Sequence, residues 1–303
     1  MSDIPRVDLP EGVVIMDGGM GMELENRGAK EPSELWSAAA LLNAPDLVRQ
    51  VHEEYIRAGA HIIITNTYSS GRERLRKFGY EEHFESFNKL AGELAGQARE
   101  NCGEPVLIAG SLPPMDRSYR PDMVHEIDDL EAQIGELAGV LAPHVDFFIC
   151  ETMSTAAEAL GTVRGAARHG KPIWVSWTLN DRGSDKLRSG ETIEEAAALL
   201  DGLPVSGFLV NCCAAESITA VMPKLAALGD FSIGGYANGF HHIDNLEIVS
   251  QGLSKRKRGH RHDITPDSYL DHVRDWVSAG AKVVGGCCEI GPEYIARLKE
   301  SLN

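Results

Sequence analysis

Residues 146–168 read DFFICETMSTAAEALGTVRGAAR, and the change of pattern inside this stretch points to the fold. Phe147, Phe148, Ile149 and Cys150 are consecutive apolar residues, which suits a strand buried on both faces rather than one with a wet side. From about residue 154 the run gives way to small and apolar residues at helical spacing, expected to form a helix over 154–168. A doubly buried strand followed at once by a helix is one βα unit of a parallel sheet.

The same unit recurs along the chain. Apolar runs stand at Val13–Met16, His61–Asn66, Val106–Ala109, Asp146–Cys150, Pro172–Trp177, Gly207–Asn211, Phe231–Tyr236 and Lys282–Gly285. Helical patterns follow at about 45–58, 82–101, 126–141, 154–168, 191–201, 215–228, 266–279 and 292–301. Eight strand-then-helix units in 303 residues predict an α/β fold, a single (β/α)8 TIM barrel over residues 1–303. A doubly wound open sheet is the rival, but no run opens onto GxGxxG or a phosphate-binding loop. Two connections are long: 18–44, and 239–265 with His241, His242, His260, His262 and the basic run Lys255–Arg258. Connections of that length in a compact domain are functional lids or disordered segments, and 239–265 is expected to close over one bound ligand, the donor of a transferred group.

Charge narrows the function. With 29 basic and 45 acidic residues the chain carries −16, whereas nucleic acid and anionic membranes call for a basic footprint. No stretch reaches the roughly 18 apolar residues of a membrane span, and the start MSDIPRVDLPEG has no apolar signal core. A soluble, cytoplasmic protein acting on small molecules is expected.

Four of the six cysteines form two adjacent pairs, Cys212-Cys213 and Cys287-Cys288, each at a strand end. In a barrel the C-terminal strand ends converge on one mouth, where active sites of this fold lie. Three thiolates meeting there suit Zn2+, which prefers four tetrahedral ligands and would keep one position open for chemistry. Alternation along a strand argues that Cys212 and Cys213 do not both point inward, while Cys287 and Cys288 can if their strand has already ended. Spacing alone leaves this reading level with another, in which the pairs are buried, inert small hydrophobes.

Other strand ends carry polar groups. Asp17-Gly18-Gly19 reads either as a tight turn or as an acid beside backbone amides that together hold an amino acid's ammonium and carboxylate. Glu151 is either a second ammonium partner or a cap on the helix that follows. Trp36, in the first long connection, is either core or a ring face for a cationic ligand.

Taken in order, Asp17-Gly18-Gly19, Trp36 nine residues before Pro45, Ala58-Gly59-Ala60, Thr65-Asn66-Thr67-Tyr68, Gly110-Ser111, Glu151-Thr152, Val210-Asn211-Cys212 and Gly285-Gly286-Cys287-Cys288 resemble the homocysteine S-methyltransferase family, from about residue 12 to 298. The resemblance implies a (β/α)8 barrel with a zinc ion on Cys212, Cys287 and Cys288. It also implies homocysteine binding by Asp17, Gly18, Gly19 and Glu151, and donor contacts from Trp36 and Tyr68. Cys213 has no counterpart in the motif. Asn238, in GYANG, matches a Pro-Asn dipeptide near the family's site, with Ala237 in place of the Pro.

On this reading zinc deprotonates homocysteine, whose free thiol is mostly protonated at neutral pH. The sulfur then takes a methyl group from a cationic donor, giving methionine. The Leu35-Trp36-Ser37 run looks like the branch that uses S-methylmethionine, so a sulfonium donor, this one or S-adenosylmethionine, is expected. Betaine is the alternative, although Ser69 stands where the betaine branch has a Tyr. A separate corrinoid protein as methyl carrier is another. A zinc-binding sensor barrel without turnover is the non-enzymatic reading.

Overall fold

Val14–Ile15 (β1), Ile62–Ile64 (β2), Leu107–Leu112 (β3), Phe147–Met153 (β4), Ile173–Trp177 (β5), Val205–Asn211 (β6), Ser232–Ala237 (β7) and Val283–Gly286 (β8) are the strands of one parallel sheet. The computed structural model describes residues 4–29, 35–181, 184–242 and 259–302. From β2 to β8 each strand pairs with the next, and β1 pairs with β8. The ring closes through a parallel bridge between Met16 and Ile62, with His61 N–H donating to Ile15 O at 2.7 Å and Asp17 N–H to Ile62 O at 2.9 Å. The fold is a (β/α)8 barrel, as the sequence predicts.

Strand alternation sorts the apolar residues into two layers. Phe147, Ile149, Trp174, Leu209, Tyr236 and Val283 fill the barrel. Phe148, Cys150, Val175, Phe208, Val210 and Val284 face outward beneath the surrounding helices. The runs are apolar throughout because both directions are buried. Burial of each such side chain contributes roughly 1.5–3 kcal/mol.

Helices cover each unit, and local chemistry sets their ends. Pro45 opens the helix Pro45–Ala58, where its missing N–H costs nothing, and Gly59 ends it at φ +107°, a conformation that disfavours any side chain. Thr192 caps Ile193–Ala198 and Thr265 caps Pro266–Ser278, both with reciprocal side-chain to backbone bonds. After β4 the cap on Ala156–Ala167 is Thr155, whose hydroxyl accepts from Glu158 N–H at 2.9 Å. Glu151 is therefore not the cap of that helix.

The expected boundaries shift in three places. β4 runs on to Met153 through a bulge between Cys150 and Met153, so Glu151 lies within the strand rather than beyond it. The connection 18–44 is not a structureless loop, since it contains helices at Met20–Asn26 and Ala39–Asn43. A helix at Arg72–Lys77, too short for the periodic pattern to reveal, fills the connection after β2. The expected lid 239–265 falls largely on residues 243–258, outside the described residues, and so does the basic run Lys255–Arg258. Among the described residues no helix is long and apolar enough to cross a membrane.

Candidate active site

A cavity partly open to solvent occupies the C-terminal mouth of the barrel. Asp17, Gly18, Gly19, Trp36, Tyr68, Glu151, Cys212, Cys287 and Cys288 all line it. Residues from five strand ends and the first long connection thus converge on one space.

The two cysteine pairs reach it differently. Cys212 follows the last residue of β6 and has φ +53°, a left-handed conformation that breaks the alternation of the strand. Its sulfur turns into the cavity while Cys213 packs into the layer beneath the helices. β8 has already ended at Gly286, so Cys287 and Cys288 both escape alternation and both line the cavity. The three sulfurs lie within 4.8 Å of one another, with Cys287 Sγ 3.0 Å from Cys212 Sγ.

The donor set fits a tetrahedral thiophilic ion. Bonds of about 2.3 Å place the sulfurs of such a site roughly 3.8 Å apart, within reach of small side-chain rotations. Electrostatics agree. Cys287 is pushed well up by its contacts with Cys212 and Cys288 and then by burial. For Cys212 the bond from Cys287 is the largest influence and favours the thiolate. Contact with Cys288 and burial outweigh it and push the group up to about 12. Buried together these thiols keep their protons unless a cation replaces them. Among the described residues they are the one group of three or more with metal-ligating geometry; His241, His242, His260 and His262 form none.

The two carboxylates differ in how they are held. Glu151 accepts from Ser111 Oγ and, at 3.4 Å, from Tyr236 Oη. The backbone after it is reversed at Thr152, φ +63°. Asn211 locks that reversal: its Oδ1 accepts from Thr152 N–H at 2.9 Å and its Nδ2 donates to Thr152 Oγ1 at 2.9 Å. Asp17 is 1% exposed and accepts through Oδ2 from Ile64 N–H at 2.8 Å, while its buried Oδ1 has no partner. Burial pushes Asp17 well above the usual carboxylate range; the Ile64 bond opposes this, and the Glu151 charge adds to it. A cation brought beside it would favour the ionised form that burial disfavours.

The glycines after Asp17 serve close approach, not a turn. A Cβ on Gly18 would sit 2.1 Å from Ile290 O, and one on Gly19 would sit 2.7 Å from Cys287 O. Their smallness lets the first strand end pack against the cysteine loop. Gly19 N–H donates to Ile290 O at 3.0 Å, so it is not available to a ligand as expected. Trp36 and Tyr68 meet edge to face at 6.0 Å, and Asn66 Nδ2 tethers the Trp36 segment by donating to Ser37 O at 2.9 Å.

Over residues 14–302 the chain matches the family model described as homocysteine S-methyltransferase. The chain belongs to the homocysteine S-methyltransferase family. It is 31% identical to the homocysteine S-methyltransferase of Escherichia coli, with 95% of each chain covered. Identity to the rat S-methylmethionine–homocysteine S-methyltransferase BHMT2 is 29%, covering 99% of this chain and 80% of that one. The crystal structure of the homocysteine methyltransferase MmuM from Escherichia coli in its metallated form superposes with a TM-score of 0.79 at 30% identity, covering 96% of both chains.

Within this family frame, Asn238 stands apart from the other expected residues. It is not among the described residues lining the cavity. Its Oδ1 accepts from Phe240 N–H at 3.2 Å, and Phe240 packs against Cys212 and Cys288. Sequence reasoning missed Tyr119, which lines the cavity with its Oη 2.8 Å from Cys212 Sγ. It lies in the irregular segment after β3, where no periodicity marks a position as inward.

Proposed function

We propose that the protein transfers a methyl group from a sulfonium donor to the thiol of homocysteine, with zinc held by Cys212, Cys287 and Cys288. One juxtaposition carries this reading: three clustered thiols share a cavity with Asp17, whose buried Oδ1 has no partner. Homocysteine has the matching pair of groups, a thiol at one end and an ammonium at the other.

When bound, zinc supplies the positive charge that keeps the homocysteine sulfur deprotonated at neutral pH. The protein's own residues then align the substrates. Asp17 Oδ1 takes the ammonium, with the Glu151 charge nearby, and ammonium binding favours the ionised form of Asp17 that burial disfavours. Gly18 N–H, close to the cysteine loop, is the amide left for the carboxylate. The faces of Trp36 and Tyr68 border the space beside the sulfurs and suit the cationic methyl donor. The sulfur–methyl bond of the product forms as the donor's sulfonium–methyl bond breaks, and the donor leaves as a neutral thioether. No base is needed at this step. Positioning in a confined cavity supplies the remainder of the rate.

The sulfonium donor is also supported by the rat relative, whose name specifies S-methylmethionine. Incubating zinc-loaded protein with homocysteine and, separately, S-methylmethionine, S-adenosylmethionine, betaine or a methyl-corrinoid protein tests the reading. Methionine should form with a sulfonium; formation only with betaine or the corrinoid would overturn the donor assignment. On the same reading the enzyme works in the cytoplasm.

A further inference from the structure

We propose that Tyr119 is a positioning residue for the metal cluster, donating a hydrogen bond to the Cys212 sulfur from a platform formed by the buried Arg188–Asp181 pair. The inference rests on Cys212 being a metal ligand, and it adds a group outside the three cysteines that governs how that sulfur behaves.

Several independent contacts converge on Cys212. Tyr119 Oη lies 2.8 Å from its sulfur, and once that sulfur is a thiolate it can only accept, so the tyrosine donates. Tyr119 has φ +67°, an uncommon conformation for an aromatic residue, which brings the ring inward from a segment 93 residues away in sequence. Behind the ring lies the guanidinium of Arg188, its Cζ 4.3 Å from the ring centroid. The Arg188 side chain is 0% exposed and its Nη2 is 3.2 Å from Asp181 Oδ2.

The segment after β5 that carries Asp181 and Arg188 also holds the Cys212 main chain. Thr178 Oγ1 donates to Cys212 O at 3.3 Å and accepts from Arg188 Nε at 3.3 Å. Asp181 Oδ1 accepts from Ala214 N–H at 2.8 Å. One network thus reaches the ligand through its sulfur and fixes the reversed backbone that aims it. A phenylalanine would fill the same space as Tyr119, so the buried hydroxyl on sulfur is the feature that packing does not explain.

A hydrogen bond draws electron density from a thiolate and fixes its direction. Outer partners of this kind typically account for 10–100-fold in metal affinity. The test uses protein loaded with Co2+, whose sulfur-to-metal charge-transfer absorption reports directly on the thiolates. Wild-type protein should show this band at one cobalt per chain. In Tyr119→Phe the band should move to lower energy, and release of the metal to a chelator should be about tenfold faster or more. Arg188→Lys keeps a charge for Asp181 but loses the planar platform, and should move the band in the same direction by less.

An unmoved band and unchanged release in Tyr119→Phe would overturn the proposal, even if the melting temperature fell, because packing alone would then account for the residue. An unmoved band in Arg188→Lys would overturn the role of the ion pair. Absence of the band in wild-type protein would overturn the three-cysteine reading itself and this inference with it, so the two failures are distinguishable.

Discussion

Cys212-Cys213 and Cys287-Cys288 are the same dipeptide at two strand ends, yet they are used differently. At β6 the strand runs up to Asn211 and a left-handed Cys212 divides the pair, sending one sulfur to the cavity and the other to the outer core. At β8 the strand stops at Gly286 and both sulfurs enter the cavity. The left-handed residue at that end comes only after the pair, at Glu289, φ +66°. Where the reversal falls relative to the pair decides how many thiols the site receives. Three is the number that leaves a tetrahedral ion one open position.

The largest expected effect comes from removing a thiol from the undivided pair. Cys287→Ala should abolish both stoichiometric zinc binding and methionine formation, read by elemental analysis and by product assay. Retention of one zinc per chain in this variant would break the comparison, since the sulfur would then be as dispensable as an outward one.

Next in size is the substrate contact. Glu151→Gln removes a charge facing the ammonium, and hydrogen bonds to charged groups are worth about 1.5–3 kcal/mol. A rise of roughly 10–100-fold in the KM for homocysteine should follow, with zinc content unchanged. Zinc loss would instead move Glu151 into the metal's coordination, alongside the cysteines.

Trp36→Ala should weaken the sulfonium donor by about tenfold, within the range of a partly desolvated cation–aromatic contact. Homocysteine binding, measured by calorimetry in the absence of donor, should stay the same. An equal loss of both ligands would assign Trp36 to packing on Gly21, whose Cβ position lies 2.2 Å from the indole ring.

The smallest functional effect is expected at the outward half of the divided pair. Cys213→Ser should keep zinc and turnover while losing about 1–3 kcal/mol of stability in chemical unfolding, because it buries a hydroxyl in an apolar layer. Loss of zinc here would favour a site closed by all four cysteines.

The contrast between the pairs also marks what the sequence could tell. Eight apolar runs announce the barrel because burial on both strand faces leaves no polar alternation; the run Gly207–Asn211 lies within β6, and Asp146–Cys150 falls on β4 except for Asp146, which precedes it. Alternation was enough to exclude a joint inward placement of Cys212 and Cys213. Which of the two turns in was not legible from it, because a left-handed residue outside glycine has no compositional signal. Thr152 is reversed for a reason equally distant in sequence, the side chain of Asn211. The apolar run Val13–Met16 is longer than β1, since Val13 and Met16 are apolar for packing, while the ladder is confined to Val14–Ile15 and Met16 makes only the bridge to Ile62. Gly18 and Gly19 signal a turn by composition, yet they are small because Ile290 O and the Cys287 carbonyl come so near. Tyr119 stayed hidden since its place depends on Arg188, which lies far along the chain.

Zinc-edge X-ray absorption of the purified zinc-loaded protein, recorded before and after homocysteine, tests the central claim most directly. Three sulfurs near 2.3 Å and one lighter neighbour are predicted before addition, and four sulfurs after it. Four sulfurs before homocysteine, or a coordination that homocysteine leaves unchanged, would contradict a site in which three cysteines keep one position open for the substrate thiol.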